Sequence, residues 1–136
     1  MMKKVAIIGS RRMSSYGREV IGLLMKELKD KAEIVTIEVS GCNKEVIKLG
    51  AKKVFKGENF QILNEELANY ADILVIIEGG KNSGTILLAS KFVEKNKNVY
   101  CIPGRINDEG SYATNWLIEQ GAIPLTDLAD LTGSLQ

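Results

Sequence analysis

The sequence predicts an α/β fold, a doubly wound, mostly parallel sheet with helices on both faces. Three observations carry this. The apolar runs "KVAIIG", "DILVIIEGG" and "NVYCIPG" are unbroken and close on glycine, the pattern of strands buried on both faces. Stretches with helical apolar spacing separate them, and buried parallel strands joined by crossover helices build such a sheet. No linker, repeat or low-complexity segment interrupts the alternation, so residues 1–136 are expected to form one domain.

In chain order, the first strand is Lys4–Gly9. A helix over Ser15–Lys29 follows, with Val20, Leu23, Leu24 and Leu28 at helical spacing. Ala32–Val39 is β-branched and strand-like. "NKEVIKLGA" reads as a short helix stopped at Gly50, and "KKVF" as a brief strand. A short helix over Asn64–Ala71 precedes the second buried strand, Asp72–Gly80. Ser83–Asn96 is an amphipathic helix with Ile86, Leu87, Ala89, Ser90 and Val93 near one side. The third buried strand is "NVYCIPG". Tyr112–Gln120 is a helix ended by Gly121, "AIPLTD" is a last short strand, and "LTGSLQ" is expected to fray.

Composition narrows the function. The chain has no histidine, which excludes Ser-His-Asp and Cys-His catalysis and a histidine-ligated metal. Cys42 and Cys101 stand far apart, in no metal-like spacing, and read as small core thiols. The net charge of +1 provides no global field, so any nucleic-acid contact must come from a local basic patch. No apolar run approaches the roughly 20 residues that span a bilayer, and no signal-peptide pattern is present. A cytoplasmic chain without membrane partner, metal or cofactor is expected.

In a doubly wound sheet, ligands bind beyond the carboxyl ends of the strands. Three unusual loops fall there: "GSRRMSSYG", "EGGKNSGT" and "PGRINDEGSYATN". In the second loop, Gly79, Gly80 and Gly84 allow close backbone approach. Ser83, Gly84 and Thr85 stand at a helix start, where unpaired amides and the helix dipole favour a phosphate. Lys81 adds a mobile cation. In the first loop, Ser10 can donate a hydroxyl proton and Arg11 can fork onto a phosphate, with Arg12 beside it. Facing each other across one crevice, the two loops define an anion pocket. Glu78, Asp108 and Glu109 flank it; Glu78 is expected to bind a ribose hydroxyl, with a general acid–base pair as the alternative. Arg105 and Asn115, the latter near a helix start, complete the crevice. Trp116, beside Leu117 and Ile118, is expected in the core and not as a stacking platform with Tyr112. Lys52, Lys53 and Lys56 read as a solvated face.

The stretches "VAIIGSRRMSSYG", "DILVIIEGGKNSGTILLASKF", "NVYCIPGRI" and "SYATNWLIEQGA" resemble, in order, the Rossmann-like domain of the DNA-processing protein A (DprA/Smf) family. On this resemblance Gly9, Ser10 and Arg11 match its "GSR", Tyr16 and Gly17 its "YG", and Ser83 and Gly84 its "SG". Pro103, Gly104, Ser111 and Asn115 match its last loop. The resemblance implies a single Rossmann-like domain that binds single-stranded DNA in this pocket, as a homodimer. It also implies a RecA-type recombinase as partner, in natural transformation. Two departures stand out. Only "SGCN" (Ser40 to Asn43) remains of the family's "SGGAxGID", and its "RNR" appears as Leu63-Asn64-Glu65. Asn64 is kept, both arginines are lost, and Glu65 and Glu66 are expected to repel phosphates.

Three readings follow. The first is a non-enzymatic DprA-like protein whose pocket takes single-stranded DNA or a nucleotide. The second is an enzyme resembling the lysine decarboxylase-like (LOG) phosphoribohydrolases, whose "PGGxGTxxE" is similar to "EGGKNSGTILLA" without its proline and glutamate. The third is an interaction remnant with an empty crevice.

Overall fold

The computed structural model describes residues 2–135. Six parallel strands form one sheet: β1 (Lys4–Ile8), β2 (Glu33–Ile37), β3 (Lys53–Phe55), β4 (Ile73–Ile76), β5 (Asn98–Cys101) and β6 (Ile123–Pro124). Their spatial order is β3-β2-β1-β4-β5-β6, that of Rossmann dinucleotide-binding sheets. The connecting helices are α1 (Ser15–Leu28), α2 (Cys42–Leu49), α3 (Phe60–Tyr70), α4 (Gly84–Glu94), α5 (Tyr112–Glu119) and α6 (Leu128–Gly133).

The unbroken apolar strands supply two cores at once, because successive side chains of a strand point to opposite faces. Val5 and Ile7 of β1, with Ile73 and Val75 of β4, pack under Ile21, Leu24 and Leu28 of α1, Val46 of α2 and Leu131 of α6. Ala6, Ile8, Leu74 and Ile76 pack on the other face against Leu63 and Leu67 of α3, Leu88 and Phe92 of α4 and Leu117 of α5. Both cysteines are buried within these cores.

Several sequence expectations are corrected. Helix α3 starts at Phe60, a turn before Asn64, because Asn59 caps it: its side chain accepts from the Ile62 amide at 3.2 Å. The buried face of α4 is Thr85, Leu88, Ala89 and Phe92, while Leu87, Ser90 and Val93 point outward. Trp116 is 38% exposed, not core, because α5 packs through Ala113, Thr114 and Leu117. The segment expected to fray is helical up to Gly133. Asp127 caps α6 through the Ala129 amide at 3.0 Å, and Leu131 is fully buried, which is worth about 1.5–3 kcal/mol. Gln136 lies outside the described residues.

β1 and β4 are neighbours, with Ile8 beside Ile76, yet the chain leaves them toward opposite faces, through α1 and α4. A crevice opens where the connections diverge.

Candidate functional site

The loop after β1 is held from below by the start of α2. The Gly9 amide donates to Asn43 Oδ1 at 3.0 Å, and Asn43 Nδ2 donates to the Ile37 carbonyl at 3.0 Å. The Cys42 amide donates to the Ser10 carbonyl at 2.9 Å. Gly41, at φ 81°, permits this approach: a Cβ there would lie 2.3 Å from the Ser10 carbonyl oxygen. The short "SGCN" segment thus buttresses the loop. Ser10 Oγ accepts from the Arg12 amide at 3.0 Å, which leaves its own proton free to donate.

Glu78 lies beneath this loop, 5% exposed. Its carboxylate accepts from the Ser14 amide and the Ser14 hydroxyl, both at 2.7 Å, and from the Cys42 thiol at 3.6 Å. Ser14 Oγ in turn caps α1 by accepting from the Gly17 amide at 3.0 Å. Gly17 is required for the approach, since a Cβ there would lie 2.4 Å from Glu78 Oε1. The expected ribose contact is therefore corrected, because both oxygens of Glu78 are committed to Ser14. Burial, with the Glu78 charge adding to it, pushes the Cys42 thiol up to about 12. Burial alone pushes Cys101 up to about 12. Both thiols stay protonated, and neither acts as a nucleophile.

A cleft of about 700 Å³ opens above the sheet. Gly9, Ser10, Arg11 and Arg12 form one wall, and Gly80, Lys81, Ser83, Gly84 and Thr85 the other, so the structure brings the first two loops together. Ser83 caps α4 through the Thr85 amide at 3.1 Å, and its own amide donates to the Gly80 carbonyl at 3.1 Å. The amides of Gly80, Lys81, Asn82 and Gly84 have no acceptor among the described residues. Gly79 is buried behind the wall, bonded to the Gly110 carbonyl and the Ala113 amide. From α3 come Phe60, Gln61 and Asn64. The Phe60 ring, 43% exposed, lies 5.2 Å from the Arg11 guanidinium carbon, a cation–π contact that orients the cation. Phe60, Asn43 and Ser14 escaped the sequence reading; Asn59 directly before an aromatic was the available signal for Phe60.

Most of the third loop turns to a second, adjoining cleft, contrary to the expectation of one crevice. Tyr16, Pro103, Gly104, Arg105 and Asp108 line a second cleft of about 480 Å³. The Tyr16 hydroxyl donates to the Pro103 carbonyl at 2.9 Å. Burial first, then the charges of Glu19 and Glu78, raise its pKa, so it stays a donor. Asn115 faces neither cleft. Its side chain bonds the Gly104 amide at 3.1 Å and the Gly104 carbonyl at 3.0 Å, bracing the loop. Ser111 is buried and closes the turn through the Asp108 carbonyl at 3.0 Å. Glu109 belongs to the larger cleft.

The expected phosphate repulsion by Glu65 is also corrected. Glu65 accepts from Lys95 at 2.7 Å and Lys91 at 3.3 Å, and these two cations hold its carboxyl below the ordinary value. Lys52, Lys53 and Lys56 line neither cleft; Lys53 sits over the Phe55 ring at 5.2 Å and Lys56 pairs with Glu38 at 3.8 Å. Among the described residues no helix is long and apolar enough to cross a membrane.

Sheet order, the crevice at its switch point and the cations beside a helix start define a parallel α/β protein with a cation-lined crevice beyond its strands. The sequence model of the DNA recombination-mediator protein A family matches residues 46–136, about two thirds of the chain, and the chain belongs to that family. The first loop, with Arg11, precedes the matched region. Among solved structures, DNA processing protein A of Streptococcus pneumoniae superposes with a TM-score of 0.86 at 21% identity, over 98% of this chain and 62% of that one. This chain thus spans less than two thirds of that relative's length. DNA processing protein A of Helicobacter pylori, described for its single-stranded DNA binding mode, gives 0.85 at 21% identity, over 98% and 80%. AnUbiX (PadA1), solved with FMN and dimethylallyl pyrophosphate, gives 0.60 at 9% identity, over 98% and 88%. These likenesses show the fold. No curated protein matches the sequence.

Proposed function

We propose that this chain binds single-stranded DNA, with phosphates in the larger cleft. The observation that carries this reading is the charge of that cleft. Arg11, Arg12 and Lys81 line it against Glu109 alone, and none of the three cations forms an ion pair among the described residues. Phe60 places an exposed ring beside Arg11, and an aromatic face takes any base of an unpaired strand. The Helicobacter pylori relative's single-stranded DNA binding and the family membership support the assignment. The finer parts of the proposal follow the family resemblance: a homodimer, acting in the cytoplasm beside a RecA-type recombinase in DNA uptake.

A mononucleotide is the second reading, favoured by the FMN held by the similarly folded AnUbiX. A phosphoribohydrolase activity has less support, because Glu78 is occupied by Ser14 and only Glu109 brings a carboxylate to the cleft.

The test is a salt titration of oligonucleotide binding. Three phosphate contacts give a slope of log affinity on log salt near −2, at roughly −0.7 per phosphate. Arg11→Ala is expected to flatten that slope by about 0.7 and to cost ~1.5–3 kcal/mol of affinity, the scale of a charge-assisted hydrogen bond. Melting should barely move, since Arg11 is exposed. A salt-independent affinity, or an unaffected Arg11→Ala, sinks the reading. Tight binding of a mononucleotide without binding of oligonucleotides moves the assignment to the second.

A further inference from the structure

We propose that the smaller cleft, between Tyr16 and the loop from Pro103 to Asp108, is a nucleobase subsite. It would take the base of a nucleotide next to the one whose phosphate sits in the larger cleft, with a preference for bases that carry an exocyclic amino group. The proposal rests on the single-strand reading above.

Size comes first: about 480 Å³ falls within the ~300–1,000 Å³ of small-molecule pockets. Tyr16 is 49% exposed, yet its hydroxyl is tied to the Pro103 carbonyl at 2.9 Å. A ring fixed at its tip has little freedom left to lose when a base stacks on it. The charge of the cleft is the second argument. Arg105 and Asp108 bring one cation and one anion, and neither is ion-paired among the described residues. The larger cleft sets three cations against Glu109. Phosphate therefore favours the larger cleft, and the smaller one suits a neutral, planar group. An ionised Asp108 only accepts hydrogen bonds. It rewards the exocyclic amino donor of cytosine, adenine or guanine, whereas an unpaired thymine offers only its ring N3–H. Arg105 can cover the second face of the base.

The two clefts adjoin. Asp108 lines one and the next residue, Glu109, lines the other. The ridge between them is pinned to the sheet by the Gly79 amide on the Gly110 carbonyl at 2.8 Å and the Ala113 amide on the Gly79 carbonyl at 2.9 Å. A strand passing from one cleft to the other crosses a rigid step.

The experiment titrates the ¹⁵N-labelled chain with short oligo-dC and oligo-dT of equal length, following amide shifts and affinity. Expected are shifts at residues 9–12 and 80–85 with both strands, further shifts at 104–108, and tighter binding of dC. Tyr16→Phe keeps the ring but loses its tie to the Pro103 carbonyl, so it should weaken dC binding by less than the full loss of the ring. Tyr16→Leu should lose roughly tenfold, within the range of base–aromatic stacking. Asp108→Asn, an exposed change that spares the fold, should erase the dC preference. Shifts confined to 9–12 and 80–85, with Tyr16→Leu silent, overturn the subsite and leave the single-strand reading intact. Shifts at 104–108 with equal dC and dT affinity overturn the role of Asp108. No shift at either cleft overturns both readings.

Discussion

Asn43→Ala removes one small side chain and disconnects two backbone groups. Asn43 is 4% exposed; its amide accepts from the Gly9 amide and donates to the Ile37 carbonyl, each at 3.0 Å. Alanine reaches neither. A buried polar group left without a partner costs ~1–3 kcal/mol. Gly9 is only half-buried, so water recovers part of its share, and the sum falls at about 2–4 kcal/mol. That is a large part of the ~5–15 kcal/mol that holds a domain together. Asn43→Asp separates the two bonds: the carboxylate still accepts from Gly9 but turns an oxygen toward the Ile37 carbonyl, so it too destabilises. Urea unfolding of the three proteins measures this, with the midpoint expected to fall and the slope to hold. The same variants should bind single strands more weakly, because Gly9 carries Ser10 and Arg11. A loss below about 1 kcal/mol in Asn43→Ala would refute the claim that this amide holds the loop.

Two further outcomes are expected. Leu63→Arg, which would restore one arginine of the family's "RNR", should destabilise by ~3–5 kcal/mol in chemical denaturation, because it buries an unpaired cation: Leu63 is 3% exposed and packs in the core. Glu65→Gln should lower the melting temperature slightly at neutral pH and not at low pH. The folded-state pKa of Glu65 is depressed by Lys95 and Lys91, so its contribution is present above the unfolded value and is lost as pH falls below the ordinary 4.5. Melting curves of both proteins between pH 7 and pH 3 should therefore converge toward the acid end; a constant gap would contradict the ion-pair account.

The parallel sheet was legible in the sequence because burial on both faces requires unbroken apolar runs, and β1, β4 and β5 have them. The loops that line the two clefts were legible by their place after those strands. Helix α3 began earlier than expected because its cap, Asn59, precedes an aromatic that the apolar pattern did not claim. The outer faces of α4 and α5 were misjudged at Leu87, Val93 and Trp116, since periodicity gives a stripe but not which neighbours cover it.

The family match and the architecture thus come from local pattern, which each segment of the chain carries by itself. Tertiary structure alone decided how the expected site residues divide between cleft walls and supports. Glu78 holds Ser14 and Asn43 holds Gly9 across 64 and 34 residues of sequence, because buried polar groups must find partners, and Gly17 leaves room for Glu78. The expected single crevice became two clefts because Asn115 braces the third loop at Gly104 and the ridge from Asp108 to Gly110 is bonded to Gly79. Contacts between residues so distant along the chain leave no mark in local spacing; only packing sets them.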